Sequence, residues 1–248
     1  MATPSSDKLA VLIDADNAQP SIAHELLAEI SRYGTASIKR AYGDWTTTNL
    51  RSWKDVLLEL ALQPIQHFSY TTGKNATDSA LIIDARDLLH AGGMSAFCLV
   101  SSDSDFTRLA TRLREGGRLV YGFGEKKTPK PFVAACDRFI YTEVLRPQPS
   151  AAPDADPGQS ESLRSMMVTA LIATGRENGW ATLSSVGSFL VKNSPSFDPR
   201  NYGVQKLGEL VRRQSYLEVK EVSVGEGPNT TQLLVRFRGQ ASQVSRAK

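Results

Sequence analysis

The sequence predicts an α/β domain with a largely parallel central sheet, followed by a small winged helix-turn-helix domain. Three observations predict this arrangement. Strand and helix patterns alternate through residues 9–145, the composition changes in "RPQPSAAPDADPGQSES" at residues 146–162, and three helical stretches then precede two short strands. Alternating strands and helices are typical of parallel sheets covered by helices, and Pro-, Ala- and Ser-rich segments without apolar periodicity are typical of linkers.

The elements of the first domain follow from apolar patterns bounded by turn residues. Apolar runs of strand length alternate with stretches whose apolar residues recur at helical spacing. Glycines such as Gly34 and the Gly92–Gly93 pair are expected to end helices. The predicted strands are "LAVLID" (9–14), "ASIKRAYGDW" (36–45), "PIQHFSY" (64–70), "SAFCLVSS" (95–102), "RLVYGFG" (118–124) and the end of "PKPFVAACDRFIY" (129–141). The predicted helices are "SIAHELLAEISRYG" (21–34), "NLRSWKDVLLELALQ" (49–63), "ATDSALIIDARDLLHAGG" (76–93), "DFTRLATRLREGG" (105–117) and the start of 129–141.

The composition is ordinary for a soluble globular protein. The 248 residues are 41% hydrophobic and 22% charged, and no window approaches the roughly 18 continuous apolar residues of a membrane span. The opening "MATPSSDKLAVLID" lacks the apolar region of a secretory signal, so we expect a cytoplasmic protein without a membrane partner. Cys98 and Cys136 are expected to be reduced core residues, and the three scattered histidines to be structural or solvent-facing.

Charge and composition divide the chain. Residues 1–159 contain 17 Lys and Arg against 19 Asp and Glu, a net −2, whereas residues 160–248 contain 12 against 7, a net +5. This asymmetry suggests a division of labour between two domains. The expected boundaries are a disordered lead at 1–8, the first domain at 9–145, a flexible linker at 146–160, the second domain at 161–239 and a disordered tail at 240–248. A turn is expected at "GEGPN" (225–229), between the last two strands.

Acidic residues follow two predicted strands and open one predicted helix. Asp14 ends the first strand, Asp103 and Asp105 follow "SAFCLVSS", and Asp78 lies near the start of a helix. If the two strands are neighbours in a parallel sheet, their carboxyl ends meet and the acids converge. Carboxylates a few ångströms apart raise one another's pKa and destabilise the fold unless a cation lies between them. Oxygen ligands favour Mg²⁺ or Mn²⁺, either of which can activate water and neutralise charge on a phosphodiester.

Three blocks of the first domain resemble the NYN domain family, in the LabA-like branch of the PIN-type nuclease superfamily. They are "VLIDADNAQ", "TGKNATDSALIIDARDLL" and "LVSSDSDFTRLATRLREGGRLVYGFG", and the resemblance covers residues 9 to about 145. It implies a PIN-like (Rossmannoid) parallel sheet flanked by helices, and metal-dependent hydrolysis of RNA. It also implies metal ligands at Asp14, Asp78 and Asp103, with Asp105 as a direct or outer ligand. Asn17 is implied to complete the catalytic set by orienting substrate or a metal-bound water.

Each acidic candidate has a structural alternative. Asp16 is expected to face solvent, and Asp44 to be a turn residue. Asp84 follows Asp78 by six residues, about 240° around a helix, so the two cannot share a face. It is either a buried hydrogen-bonded acid or a peripheral residue of the site. Asp103 competes with neighbouring serines for the role of helix N-cap, but five consecutive polar residues are more than capping requires.

Basic residues of the first domain are weaker candidates. Lys74 precedes the middle block and is either a phosphate contact or a solvated lysine. Arg108, Arg112 and Arg114 are expected at the surface. No nucleophile elbow, Walker A motif or dinucleotide-binding fingerprint competes with the acidic set.

The second domain, residues 160 to about 240, resembles the LOTUS or OST-HTH family. The resemblance lies in "LRSMMVTALIA", "WATLSSVGSFLVKNSPSFDPRNYGVQKLGELVRR" and "LLVRF". It implies RNA binding or docking onto a protein partner. Tyr202 is expected in the core. The candidate nucleic-acid contacts are Lys192, Arg200, Lys206, Arg212 and Arg213, of which the last three lie away from the apolar stripe of their helix. The alternative is that these residues form only a solvated basic face.

Together these features favour a metal-dependent ribonuclease with a C-terminal RNA-binding module. The alternative is a non-catalytic RNA-binding or regulatory adaptor that keeps the fold without turnover. A decayed site would usually have lost a carboxylate, and the acidic set here is complete. The sequence leaves open whether the nucleic acid is RNA or DNA, and the PIN-type resemblance also allows a homodimer.

Overall fold

The chain divides into two compact units, Met1–Gln148 and Pro149–Lys248. The computed structural model describes residues 7–67, 76–146, 157–176, 178–223 and 231–238. Within those residues, no helix combines the length and the apolarity needed to cross a bilayer.

The first unit alternates strands and helices, as the sequence predicts. Its strands are β1 (Lys8–Asp14), β2 (Thr35–Gly43), β3 (Gln63–Gln66), β4 (Ala96–Val100), β5 (Leu119–Gly124) and β6 (Arg138–Tyr141). Its helices are α1 (Ala23–Ile30), α2 (Lys54–Glu59), α3 (Ala76–Ala91), α4 (Thr107–Glu115) and α5 (Lys130–Ala135). Short 3₁₀ turns at Pro20–Ile22, Arg51–Trp53, Ser104–Phe106 and Thr142–Val144 lead into or follow these elements.

The six strands form one sheet in the order β3-β2-β1-β4-β5-β6, and every neighbouring pair is parallel. The predicted α/β class with a parallel sheet is therefore confirmed. The chain builds outward from β1 in one direction and then returns to the other side of β1 with β4. In doubly wound sheets, the crevice at the carboxyl ends of the two strands at such a reversal is where ligands bind.

Apolar side chains cover both faces of the sheet. In β1, Leu9, Val11 and Ile13 pack in a cluster with the buried residues of α1, whereas Ala10 and Leu12 pack in a second cluster with α3 and α4. All five are fully buried. Such a continuous apolar run is typical of a parallel strand covered by helices on both faces, and it holds the carboxyl end of β1 in a fixed place.

Several predicted boundaries differ from the observed ones. The helix predicted for 49–63 is a 3₁₀ turn followed by the short α2, and Ala61, with a left-handed φ of 50°, separates it from β3. The strand predicted for 64–70 is observed at Gln63–Gln66, and residues 68–70 lie outside the described residues. Cys98 and Cys136 are buried and free, which confirms their prediction as reduced core residues.

The second unit is a small helical domain with a three-stranded antiparallel sheet. Its elements are α6 (Pro157–Thr174), β7 (Ala181–Thr182), α7 (Leu183–Asn193), a 3₁₀ turn (Pro199–Tyr202), α8 (Leu207–Arg213), β8 (Leu217–Ser223) and β9 (Thr231–Phe237). The sheet order is β7-β9-β8. One apolar cluster joins all three helices to the sheet, and Tyr202 packs against it as predicted.

Two features of this unit differ from the sequence prediction. The two-residue strand β7 was not predicted, because two residues between helices give no periodic signal. Helix α6 begins at Pro157, so the last four residues of the linker predicted for 146–160 are helical. Proline is favoured in the first turn of a helix, which accounts for a start inside a Pro-rich segment. The turn predicted at 225–229 lies outside the described residues.

Candidate metal centre

Two central strands of the first unit end side by side at the candidate site. Strand β1 ends at Asp14, and Ile13 is paired with Val100, the last residue of β4. Ser101 continues past β4, and its backbone N–H donates to the Phe123 carbonyl of β5 at 2.9 Å. The sequence prediction that these two strand ends are neighbours is therefore confirmed.

Three carboxylates converge at this edge. Asp78, Asp103 and Asp105 each offer an oxygen, and these three atoms all lie within 4.8 Å of one another. Asp78 lies in the first turn of α3 and is buried, Asp103 is half-buried and Asp105 is exposed. The cluster thus runs from the protein interior to its surface.

Asp14 lies beside this cluster and is fully buried. Its Oδ2 accepts hydrogen bonds from the Ser101 hydroxyl at 2.7 Å and from the Asn17 side-chain amide at 2.8 Å. The Asn17 backbone N–H donates to its Oδ1 at 3.3 Å. Burial raises the pKa of Asp14, and the hydrogen bonds from Ser101 and Asn17 oppose that rise. Asn17, predicted to orient substrate or water, here orients a carboxylate.

Asp78 has a strongly perturbed pKa. Burial, followed by the charges of Asp14, Asp103, Asp105 and Asp16, raises its pKa from 3.8 to about 6. Among these charges, that of Asp14 has the largest effect on the pKa of Asp78. Asp14 therefore belongs to the same site, although its oxygens are not among the three that lie within 4.8 Å of one another. The charges of the other three predicted carboxylates therefore all act on Asp78.

Serine hydroxyls shape the loop that carries Asp103 and Asp105. The Ser101 hydroxyl that donates to Asp14 also accepts the Asp103 backbone N–H at 3.0 Å, so it joins the end of β1 to this loop. The Ser102 hydroxyl accepts the Glu125 backbone N–H at 2.9 Å. Sequence reasoning treated these serines only as competing helix caps and missed the Ser101 contact. The sequence signal that could have predicted this contact is a hydroxyl residue directly after a buried strand.

Asp103 has the two roles that the sequence left open. It is the N-cap of the Ser104–Phe106 turn, and its Oδ1 accepts the Asp105 backbone N–H at 2.9 Å. The same side chain also supplies an oxygen to the three-carboxylate group. A carboxylate has enough lone pairs for both contacts, so capping does not exclude ligation.

An ion pair fixes the helix that carries Asp78. The Asp84 carboxylate accepts hydrogen bonds from the Arg40 guanidinium and the Tyr42 hydroxyl, both on β2. Of the two alternatives for Asp84, the structure thus shows the hydrogen-bonded acid. Burial raises the pKa of the Tyr42 hydroxyl, as do the hydrogen bond and charge of Asp84. Because Asp84 faces β2, the other side of α3 is left to present Asp78 to the acidic cluster.

The remaining acidic candidates lie as expected. Asp16 is exposed, although its charge acts on Asp78. Asp44 is a turn residue whose Oδ1 accepts from the Thr46 backbone N–H and hydroxyl and from the Gln66 amide at 2.9 Å. These hydrogen bonds lower the pKa of Asp44.

The basic candidates of the first unit lie at its surface, except Lys74, which lies outside the described residues. Arg108 is exposed, Arg112 pairs with Glu115 at 3.3 Å, and Arg114 pairs with Asp137 at 3.0 Å. The surface position predicted for all three arginines is confirmed.

The basic candidates of the second unit are not equivalent. Lys192 and Lys206 are exposed. Arg212 pairs with Glu221 at 2.6 Å on the surface, and the Arg213 guanidinium donates to the Gly203 carbonyl at 3.5 Å.

Arg200 is less accessible than the other four candidates. Its side chain is only 15% exposed, and its guanidinium donates to both oxygens of buried Asp198 at 3.0 and 2.7 Å. A guanidinium held in this way has few donors left for a phosphate. We therefore remove Arg200 from the candidate nucleic-acid contacts.

The donor set determines which ion the acidic centre suits. The grouped atoms are carboxylate oxygens, without the thiolate or imidazole donors that favour zinc. Hard divalent cations such as Mg²⁺ and Mn²⁺ prefer oxygen ligands and need only a few from the protein. Burial and, after it, the neighbouring carboxylate charges raise the pKa of Asp78, and a cation between the carboxylates would offset both effects. The residues present therefore fit such an ion.

Two family models agree with this architecture. The model of the NYN domain matches residues 8–145, and that of the OST-HTH/LOTUS domain matches residues 159–228. A crystal structure of a protein of unknown function from Vibrio parahaemolyticus is 18% identical, covers 56% of this chain and 94% of its own, and has a TM-score of 0.46. A solution structure of residues 175–257 of a Chromobacterium violaceum protein is 33% identical over 41% of this chain and 98% of its own, with a TM-score of 0.27. No curated protein matches the chain.

Proposed function

From the premise that this chain belongs to the NYN domain family and continues into an OST-HTH/LOTUS domain, we propose that it is a metal-dependent ribonuclease. NYN domains belong to a nuclease superfamily, and both NYN nucleases and LOTUS domains bind RNA. The finer proposal is hydrolysis of RNA phosphodiesters with Mg²⁺ or Mn²⁺ at the acidic centre of the first unit.

The grouping of Asp78, Asp103 and Asp105 is the observation that carries this proposal. Their oxygens lie within 4.8 Å of one another at the carboxyl edge of β1 and β4, where doubly wound folds bind ligands. We assign these three side chains, together with the adjoining Asp14, as the residues that would hold the cation. When bound, the cation would lower the pKa of a coordinated water and neutralise charge on the phosphate.

The chain's own residues prepare this centre. The side chains of Asn17 and Ser101 both donate to the Asp14 Oδ2 atom, so this carboxylate is oriented before any ligand arrives. Asp84 anchors α3 to β2 and thereby positions Asp78. With a pKa of about 6, Asp78 is ionised at neutral pH and available as an anionic ligand. Preorganised ligands reduce the reorganisation needed at the moment of reaction.

We assign RNA recruitment to the second unit, through Lys192, Lys206, Arg212 and Arg213. Lysine and arginine side chains contact phosphates without sequence preference, and such binding weakens as salt is raised. A covalent connection between two binding units raises the local concentration of substrate at the second site. A protein partner for this unit, a homodimer and a cytoplasmic location stay predictions from the sequence.

The second candidate function is a non-catalytic RNA-binding adaptor. One observation favours it: Asp103 accepts the Asp105 backbone N–H, so the fold has a structural use for this carboxylate even without metal. Capping does not account for the grouping with buried Asp78, whose ionisation is disfavoured by its neighbours. We therefore prefer the nuclease.

The test is cleavage of a labelled single-stranded RNA by the purified full chain with Mn²⁺. Asp103→Asn removes one charge while asparagine can still cap the turn, so the variant should fold and lose cleavage. Asp87→Asn is the matched control, because Asp87 is exposed on the same helix as Asp78, about 180° around it. EDTA should abolish cutting by the wild type. A single-stranded DNA of the same sequence decides the nucleic-acid preference.

Two results separate the candidate functions. Loss of cutting in Asp103→Asn and in EDTA, with the control unchanged, would support the nuclease and remove the adaptor. A wild-type protein that binds RNA but never cuts it, with Mg²⁺ or Mn²⁺, would contradict the nuclease.

A further inference from the structure

A cavity lies in the first unit, outside the acidic centre. It has a volume of about 570 Å³ and lies between the segment after β2, helix α2 and strand β3. We call it the tryptophan groove, and define it by the lining residues Trp45, Thr46, Leu50, Arg51, Lys54 and Leu57. Its volume falls in the range typical of ligand sites.

Trp45 is fixed in the wall of this groove. Its indole N–H donates to the Ile65 carbonyl at 3.0 Å, and its backbone N–H donates to the Gln66 side-chain carbonyl at 3.0 Å. The ring is half-buried, packing partly on the core and partly lining the cavity. An aromatic ring anchored at one edge can stack with a ligand at little cost in conformational entropy.

The 3₁₀ turn at Arg51–Trp53 and helix α2, which follows it, add positive charge to one side of the groove. Arg51, Lys54 and Leu57 follow one another at a spacing of three residues, which places them on one side of the helix, and all three line the cavity. The Arg51 and Lys54 side chains are exposed, and neither forms an ion pair with another described residue. Exposed threonines line the same cavity and add hydroxyl groups.

The groove adjoins the acidic centre at Gly43. Tyr42, the preceding residue of β2, is paired with Asp14. A Cβ atom at Gly43 would lie 2.4 Å from the Leu50 Cδ1 atom and 3.7 Å from the Asp16 Oδ1 atom. Leu50 lines the groove, and the charge of Asp16 acts on Asp78, so the two sites share a boundary at this glycine.

We propose that the tryptophan groove binds a single-stranded segment of the RNA next to the scissile phosphate. One unpaired base stacks on Trp45, and the Arg51 and Lys54 side chains contact the backbone phosphates. Stacking platforms combined with cationic grooves are the general means of binding single strands, whereas bases in a duplex are already stacked on one another. This inference rests on the proposed function for the identity of the ligand, and it assigns the substrate class as unpaired RNA.

The charge balance of the site supports this placement. The acidic centre repels phosphates on its own, so a polyanionic strand needs cations close beside it. Asp44, which precedes Trp45, accepts three hydrogen bonds from Thr46 and Gln66, which partly satisfy its charge. Asp55, which follows Lys54, is exposed and is not part of the groove lining. Arg51 and Lys54 are therefore well placed to hold the strand at the entrance of the centre.

The test is equilibrium binding of a short fluorescent single-stranded RNA to full-length Asp103→Asn protein in EDTA, where no cleavage occurs. Adding Trp45→Ala should weaken binding about tenfold, the range expected for one stacked base, and Trp45→Phe should retain most of it. Adding Arg51→Ala and Lys54→Ala should reduce the slope of log K against log salt by about 1.4, since each phosphate contact on a single strand contributes about 0.7. The matched control is Lys8→Ala with Arg118→Ala, which removes the same charge where β1 begins and just before β5 begins, at the amino ends of the strands.

Two further measurements test whether the RNA binds in the tryptophan groove. Duplex RNA of the same sequence should bind equally to the Asp103→Asn protein with and without Trp45→Ala. Cross-linking of a 4-thiouridine RNA should yield adducts within residues 44–57. Adducts confined to the second unit, or equal losses for single-stranded and duplex RNA, would overturn the proposal. Because binding is measured without turnover, a protein that never cuts RNA would contradict the nuclease and leave this result standing.

Discussion

Replacing Asp78 with asparagine should stabilise the metal-free protein at neutral pH and remove its response to Mn²⁺. In the folded chain, the burial of Asp78 and, after it, the charges of Asp14, Asp103 and Asp105 raise its pKa from 3.8 to about 6. Between these two pH values the folded state holds a proton that the unfolded chain has released. The free energy of unfolding therefore falls as the pH rises through this window, and the loss is complete above about pH 6.

The size of the effect follows from the change in pKa. A rise from 3.8 to about 6 corresponds to about 3 kcal/mol at 1.36 kcal/mol per pKa unit. Asparagine removes the charge but leaves a buried amide that must find hydrogen-bond partners, which reduces the gain to about 1–3 kcal/mol. For a unit of this size, such a gain raises the melting temperature by about 5 °C.

The assay is calorimetric unfolding of the full chain in EDTA at pH 7.5 and pH 4.5, with Asp87→Asn as the matched control. The transition that Mn²⁺ raises in the wild type identifies the first unit. Asp78→Asn should raise this transition at pH 7.5 and raise it much less at pH 4.5, where Asp78 is already protonated. It should also show no further increase with Mn²⁺. A variant that is no more stable than the wild type at pH 7.5, or equally stabilised at both pH values, would refute the reasoning.

Three further predictions concern residues that position the centre. Ser101→Ala removes the hydroxyl donor to Asp14 and should weaken Mn²⁺ binding about 10- to 100-fold in a calorimetric titration; unchanged affinity would show that this contact is idle. Asp84→Asn breaks the ion pair with Arg40 and should lower the free energy of unfolding by about 1–3 kcal/mol in urea, a loss that a merely exposed acid would not cause. Gly124→Ala would place a Cβ atom 2.5 Å from the Ser101 carbonyl oxygen, so we expect a loss of about 1–3 kcal/mol together with weaker Mn²⁺ binding; a variant of wild-type stability would mean that this backbone can shift freely.

The position of the acidic centre could be predicted because it depends on topology. Asp14 and Asp103 follow apolar runs of strand length, and parallel neighbours place their carboxyl ends at one edge. The separation of Asp78 from Asp84 also followed from helix geometry, since six residues turn a helix by about 240°. Helix geometry does not predict which residue forms the ion pair with Asp84. Arg40 lies 44 residues away on β2, and only the packing of α3 on that strand brings the two together.

The finer contacts depend on side-chain placement that a single sequence does not reveal. Ser101 and Ser102 are adjacent and chemically identical, yet one hydroxyl binds Asp14 and the other binds the Glu125 backbone. Which one faces the centre depends on the alternation of side chains past the end of β4. Arg200 illustrates the same limit for basic residues. Its place beside a basic helix suggested a phosphate contact, whereas buried Asp198 two residues earlier takes up its guanidinium.

Electrostatics links the acidic centre to the surfaces that would bind RNA. Four carboxylates without a cation repel the phosphate to be cut, so the affinity of the metal-free protein for RNA has to come from cations elsewhere, such as Arg51 and Lys54 in the groove and Lys206 in the second unit. A divalent cation held between the carboxylates offsets part of their negative charge and offers a ligand position to a phosphate oxygen. Metal and RNA should therefore raise each other's affinity by the same factor, as linkage requires. Carboxylates that serve only as helix caps would show no such coupling. The effect of metal on RNA affinity, measured with a variant that cannot cut RNA, therefore distinguishes a catalytic centre from a structural one.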